Sequence, residues 1–181
     1  MTYGWTGRLL EVDLGARTAR RRDIDEEILR VEIGGKGLAG RFLAEVAGRP
    51  WDDADTPVAL MTGPLVGTGA PTSGRMTIAS ISPQTGAVGD ASVGGGLGTA
   101  LKRAGLDGIV IRGRADRWLG LVVDGERAEL VPADDLVGLE AGAAAERLAG
   151  ADSFALAGAA AEREVRFAGL MVDRHFAAAR C

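Results

Sequence analysis

Apolar and polar positions alternate from the start of the chain. Gly7 to Leu14 (GRLLEVDL) read as a strand, Gly15 to Arg17 as a turn, and Thr18 to Asp23 as the returning arm of a hairpin. Asp25 is placed to cap a helix that runs to Arg30, with Glu26 and Glu27 in the first turn, where the helix dipole favours acids. Gly34 and Gly35 stop it. Leu38, Phe42 and Val46 recur at i, i+4 and i+8, which predicts a second helix from Gly37 to Val46. Pro57 to Thr62 and Met76 to Ser82 are short, mostly apolar runs that predict strands, and Gly63 to Gly74 form a long loop between them. Pro83 to Gly86 make a turn, and the glycines from Gly94 to Gly98 lead into a helix ending near Gly105. Ile109 to Arg112 and Trp118 to Val123 predict strands, with Asp124–Gly125 as a tight turn and Leu130–Val131 closing that hairpin. Leu136 to Ala149 predict an Ala-rich helix. Phe154 to Gly158 and Glu164 to Met171 read as strands or as a strand plus irregular chain, and His175 to Arg180 as the start of a helix. Neither an internal repeat nor a linker divides this pattern, so residues 1–181 are expected to form one domain.

Glycine changes the picture. Its 28 copies are about twice the usual share of ~7%. They follow no collagen period and sit among strand-like runs, which implies turns and close backbone approaches rather than disorder. The net charge of −4, with both signs interspersed, excludes the basic face of a nucleic-acid binder. Arg20, Arg21 and Arg22 are followed at once by Asp23, Asp25, Glu26 and Glu27, the pattern of a solvated strand end. Cys181 is the only cysteine, so this chain alone builds no disulfide framework and no metal site with several cysteine ligands. No charged leader precedes an apolar stretch, and no run approaches ~18 apolar residues. Neither a signal peptide nor a membrane span is expected, and the expected compartment is the cytoplasm.

Two segments carry candidate chemistry: Gly63 to Arg75 (GPLVGTGAPTSGR) and Gly86 to Gly98 (GAVGDASVGGGLG). Backbone without Cβ atoms lets a polyanionic or planar ligand lie directly on it, and successive N–H groups form anion-binding concavities. The helix start near Leu97 favours phosphate, and the Arg75 guanidinium can fork onto a phosphate or a ring carbonyl. From the residues alone, a ligand cradle and generous turns in a β-rich fold both stay open. A dinucleotide fingerprint fits poorly, since no acidic residue ends a following strand in a βαβ unit. Asp90 is assigned an Asx turn, the single histidine His175 a structural or surface role, and Trp5, Trp51 and Trp118 packing roles.

Several motifs, in order along the chain, resemble those of aldehyde:ferredoxin oxidoreductases. They are Tyr3 to Leu14 (YGWTGRLLEVDL), Ile33 to Leu38 (IGGKGL), Gly63 to Arg75, Ser82-Pro83 with Thr85-Gly86, and Gly94 to Gly98 with Leu101-Lys102, Ala104-Gly105 and Asp107. Val165 to Met171 and His175 to Arg180 resemble the end of the family's first domain. The resemblance implies an α+β domain built on β-sheets with a few short helices, forming a base under tungsten or molybdenum held by two pterin dithiolenes (a tungstopterin or molybdopterin). By position, Arg75 and Arg180 fall on the family's cofactor-binding arginines, Gly94 on a glycine contact with Gly95 beside it, and Ser92 where some members carry Asn. The family's later helical domains supply cysteines for a 4Fe-4S cluster and acidic residues near the metal. The resemblance therefore implies a separate chain carrying those domains, and ferredoxin as the electron acceptor. Cys181 stands where the family has a glycine, and Ala159, Ala161 and Arg163 replace its Pro, Gly and Asn. Three readings follow: a subunit or fragment of an aldehyde-oxidising enzyme, a stand-alone pterin-binding or interaction module without redox turnover, or a truncated gene product.

Overall fold

The computed structural model describes residues 4–179, and Arg180 and Cys181 lie outside them. The first hairpin forms as its alternation dictates: β1 (Arg8–Asp13) pairs antiparallel with β2 (Thr18–Asp23). The Asp25 carboxylate accepts the Glu27 N–H at 2.9 Å and so caps α1 (Glu26–Glu32), which is followed by α2 (Gly35–Ala44). Then come β3 (Val58–Met61), β4 (Met76–Ile81), β5 (Val88–Val93), α3 (Leu97–Arg103) and β6 (Gly108–Arg112). These six strands form one mixed sheet in the order β2-β1-β6-β3-β4-β5, in which only β1 and β6 run parallel.

The sheet is covered on both faces, which explains why Leu9 and its neighbour Leu10 are both buried. Leu9, Met61, Ala79 and Ile81 meet Leu29, Leu38, Phe42 and Leu43 of α1 and α2 on one face. Leu10, Leu60, Met76, Ile78 and Val93 meet Leu101, Leu106, Val172 and Ala178 on the other. That second face is closed by the rest of the chain. The hairpin of β7 (Leu119–Asp124) and β8 (Arg127–Pro132) packs there, followed by a 3-10 turn (Asp134–Leu136) and α4 (Ala141–Arg147). A three-stranded meander then contains β9 (Ala155–Ala157), β10 (Gly169–Val172) and β11 (Phe176–Ala179), with α5 (Ala159–Glu162) after β9. The α+β class implied by the resemblance is the architecture observed.

Four expectations change. The second glycine segment, for which the residues predict no strand, contains one: Val88–Val93 form β5, paired along its length with fully buried β4. Cross-strand pairing outweighs the low strand propensity of Gly89, Asp90 and Ala91. The tail from Phe176 is a strand, because β11 pairs with β10 despite its helix-favouring alanines. The long Ala-rich helix is reduced to α4, with Gly138 at φ +75° breaking the chain before it. Finally, the order hairpin, two helical turns and three-stranded meander occurs twice, over β1 to β5 and again over β7 to β11. This recurrence of elements has no evident counterpart in the residues. No helix among the described residues is long and apolar enough to cross a membrane.

A buried ion pair ties three separate segments together. Lys102 Nζ contacts the Asp107 carboxylate, which also accepts the N–H groups of Thr6 and Gly7, the latter at 2.7 Å. The Asp107 carbonyl accepts the N–H and hydroxyl of Thr62 at 2.8 and 2.7 Å. The chain entry, the start of the long loop and the turn after α3 are thereby held at one point. Desolvating such a pair is tolerated because its remaining lone pairs are satisfied.

Candidate functional site

The loop 63–75 and the run Gly94 to Gly98 lie side by side. A Cβ on Gly98 would stand 3.4 Å from the Gly74 carbonyl oxygen and 3.3 Å from Val66 Cγ1. At the seam, Arg75 donates from Nε to Ser92 Oγ at 3.1 Å and from Nη2 to the Ser92 carbonyl at 2.8 Å. Both residues are exposed, and Arg75 Nη1 has no hydrogen bond among the described residues. Two residues singled out separately in the sequence thus bond to each other: Ser92 fixes the guanidinium plane, and Nη1 is left without a partner among the described residues.

Gly94 and Gly95 have a structural explanation of their own. A Cβ on Gly94 would lie 2.8 Å from the Phe176 ring, and one on Gly95, at φ +99°, 2.6 Å from Asp173 Oδ2. The β10–β11 hairpin thus presses on one side of the glycine run, and only glycine fits beneath it.

Asp173 also corrects the expectation of a phosphate at the start of α3. Its Oδ2 accepts the Gly96 N–H at 2.5 Å, while Oδ1 accepts the Ser153 hydroxyl at 2.5 Å and the Phe154 N–H at 3.0 Å. Burial pushes this carboxyl up, but the Ser153 hydroxyl and the N–H groups of Phe154, Gly96 and Leu97 outweigh it and hold the group below the usual carboxylate range. The protein supplies its own anion to that helix terminus. Sequence reasoning missed Asp173, and no local signal marks it, since it stands 77 positions from Gly96.

Asp90 does not make an Asx turn. It lies within β5, and its carboxylate pairs with Lys36 Nζ of α2 at 2.6 Å. Asp90, Ser92 and, through the β4–β5 register, Ala79 and Thr77 share the face that carries α1 and α2. His175 is exposed in the β10–β11 turn. Trp5 and Trp51 pack against the helix-side core, and Trp5 Nε1 donates to the Ile33 carbonyl at 2.7 Å. Trp118, 48% exposed, departs from its packing assignment. Arg180 lies outside the described residues. Among the described residues no group of three or more His, Cys, Asp or Glu is placed to hold a metal ion.

Residues 9–181 match the family model described as aldehyde ferredoxin oxidoreductase, N-terminal domain. The chain is 34% identical to the tungsten-containing aldehyde ferredoxin oxidoreductase of Pyrococcus furiosus, over 98% of this chain and 31% of that protein. The enzyme of the same name from Thermococcus kodakarensis is also 34% identical, with the same coverage. The WOR-like subunit of an aliphatic sulfonate oxidoreductase of P. furiosus is 32% identical over 71% of this chain. Among solved structures, a chain of the active site complex BamBC of benzoyl coenzyme A reductase, in complex with 1,5 dienoyl-CoA, superposes with a TM-score of 0.92 at 29% identity. That match covers 99% of this chain and 28% of the other. The chain therefore spans about a third of the length of the relatives it matches.

Proposed function

Because this chain belongs to the aldehyde ferredoxin oxidoreductase N-terminal-domain family, we propose that it forms the base of a cradle for a tungsten or molybdenum ion carried by two pterin dithiolenes. The observation that carries the reading is the Arg75–Ser92 pair at the seam of two glycine-rich segments. The guanidinium, held in plane by the Ser92 hydroxyl and carbonyl, keeps N–H groups free for a phosphate or a ring carbonyl. Gly94 and Gly95 would offer backbone on the side away from Phe176 and Asp173. Arg180 is proposed as the second arginine of the cradle.

The bound metal–pterin group would supply two-electron redox chemistry, while the chain's residues orient it. The reaction proposed is aldehyde plus water to carboxylic acid, two protons and two electrons, with the electrons passing through a 4Fe-4S cluster to ferredoxin. With one cysteine in this chain, the cluster's ligands and the acid–base groups near the metal would come from the polypeptide that makes up the other two thirds of the relatives' length.

The test is to produce the chain alone and together with a polypeptide carrying those remaining domains, in medium containing tungstate and molybdate. Metal content, pterin fluorescence after oxidation, and aldehyde-dependent dye reduction are then measured. Metal, pterin and turnover only in the joint preparation are expected. Metal and pterin on the lone chain without turnover would favour the stand-alone binding module. Neither in any sample would overturn both.

A further inference from the structure

The two halves of the fold are joined differently. In the first, β6 links the hairpin β2-β1 to the meander β3-β4-β5, running parallel to β1 and antiparallel to β3. In the second, the hairpin β8-β7 and the meander β9-β10-β11 follow the same order with the same antiparallel pairings. Yet no strand among the described residues links β7 to β9.

Backbone hydrogen bonds mark the edges concerned. In the first half the Arg8 carbonyl accepts the Asp107 N–H at 2.7 Å, and the Leu14 N–H donates to the Arg112 carbonyl at 2.8 Å. Even-numbered residues of β1 thus turn to β6, and odd-numbered ones to β2. In β7 the Ala133 N–H donates to the Trp118 carbonyl at 3.1 Å, so Leu119, Leu121 and Val123 turn their N–H and C=O groups away from β8. Pro132, opposite Leu119, therefore costs the ladder no bond. In β9 the Asp173 N–H donates to the Phe154 carbonyl at 3.2 Å, so Ala155 and Ala157 turn theirs away from β10. None of these five residues has a backbone partner on that side among the described residues. The side chains agree: Leu10 and Val12 of β1 are buried, whereas Leu121 and Val123, at the same places in β7, are only partly covered. Leu121, Val123 and Ala155 rest on one core, while Trp118 and Val122 stay exposed.

We propose that the free edges of β7 and β9 receive an extended segment, parallel to β7 and antiparallel to β9, which joins the two small sheets as β6 joins β1 to β3. Unpaired strand edges beside apolar surface are templates for strand addition. The residues of β6 (GIVIR) give the chemistry such a segment needs, short and rich in β-branched side chains. Every strand of a second folded copy already has a partner on at least one edge, so none can bond both edges of this slot. The occupant is a segment of the polypeptide that makes up the rest of the relatives' length, of which this chain spans about a third. That choice of occupant rests on the reading above; the free edges do not.

Amide hydrogen exchange of the full chain, alone and in the joint preparation with that polypeptide, tests the proposal, read residue by residue by fragmentation mass spectrometry. In the lone chain the amides of Leu119, Leu121, Val123, Ala155 and Ala157 should exchange faster than those of Gly120, Val122 and Leu156, which bond to β8 and β10. In the joint preparation the five should slow by at least about tenfold. Ala157→Pro removes an N–H from the free edge and none from the bonds to β10, so it should lose most of that slowing, while Ala157→Val should keep it. Five amides that stay fast in a joint preparation loaded with metal and pterin would overturn the proposal and leave the cradle reading intact. Slowing of the five without metal or pterin would support the proposal and count against the cradle. Slowing in the lone chain that grows with its concentration would point to a second copy and overturn the choice of occupant. Full slowing in a folded Ala157→Pro chain would overturn strand addition at β9; if that variant does not fold, the wild-type comparison decides.

Discussion

Replacing Asp173 tests how the C-terminal hairpin is joined to the glycine run. Asp173→Ala removes the acceptor for the Gly96 N–H, the Ser153 hydroxyl and the Phe154 N–H at once. Loss of a helix cap costs about 1 kcal/mol, and two further bonds to a partly buried carboxylate about 1 kcal/mol each. Asp173 also sits at φ +48°, which adds a backbone penalty for alanine but little for asparagine. The expected destabilisation is about 2–4 kcal/mol for Asp173→Ala and roughly half of that for Asp173→Asn, which isolates the charge. The folded carboxyl titrates below its ordinary value, so its contribution is fully present above the unfolded pKa of ~3.9 and is lost as pH falls through the folded one. Urea unfolding followed by tryptophan fluorescence, at neutral pH and in steps from about pH 5 to about pH 3, measures both effects. Wild type should lose this increment in the acid range, and Asp173→Asn should lack it. An Asp173→Ala protein within about 0.5 kcal/mol of wild type at neutral pH would refute the hairpin-latch argument, as would an identical acid slope in Asp173→Asn.

Lys102→Met leaves the Asp107 carboxylate buried and uncompensated, and should cost about 3–5 kcal/mol in denaturant unfolding, with part recovered in the Lys102→Met/Asp107→Asn double variant. Gly94→Ala drives a methyl group into the Phe176 ring and should cost about 1–3 kcal/mol, with the penalty reduced in a Phe176→Ala background by a double-mutant cycle. Arg75→Ala, at an exposed position, should change stability by no more than about 0.5 kcal/mol yet lower metal and pterin per chain in the joint preparation. Unchanged loading would remove Arg75 from the cradle.

Most of the six-stranded sheet was legible because its signals are local. Asp25 with two following acids marks α1, the i, i+4 spacing of Leu38 and Phe42 marks α2, and the apolar runs at β3, β4 and β6 are bounded by glycine and proline. The misreadings are places where a distant partner decides. Gly89, Asp90 and Ala91 become strand because β4 needs a partner, and Phe176 to Ala179 because β10 does. At the site, Arg75 and Ser92 could each be singled out from motif position, but their mutual bond is a matter of strand register, which spacing does not reveal. Asp173 lies outside any local pattern, since Gly96 is 77 residues away in sequence, and Asp107, though part of a recognisable motif, takes the N–H groups of Thr6 and Gly7 from about 100 residues away.

The start of α3 decides from which side a ligand can come. The terminus of α3 is closed by Asp173, which, with Phe176, covers Gly94 and Gly95 from the sheet face that holds Val172 and Ala178. A phosphate arriving from that side would meet a carboxylate already bonded to the available N–H groups. On the other face Thr77 stands opposite Ser92 in the register, Ser92 holds Arg75, and Lys36 of α2 pairs with Asp90. An anionic ligand that meets Arg75 would therefore come from the helix-bearing face, on which Ser92 stands. Substituting Asp173 by Asn should then leave any phosphate-induced shifts around Arg75 and Ser92 unchanged while loosening the hairpin. A phosphate signal that instead moved to Gly96 and Leu97 in wild type would mean that the carboxylate yields its place, and the approach argued here would be wrong.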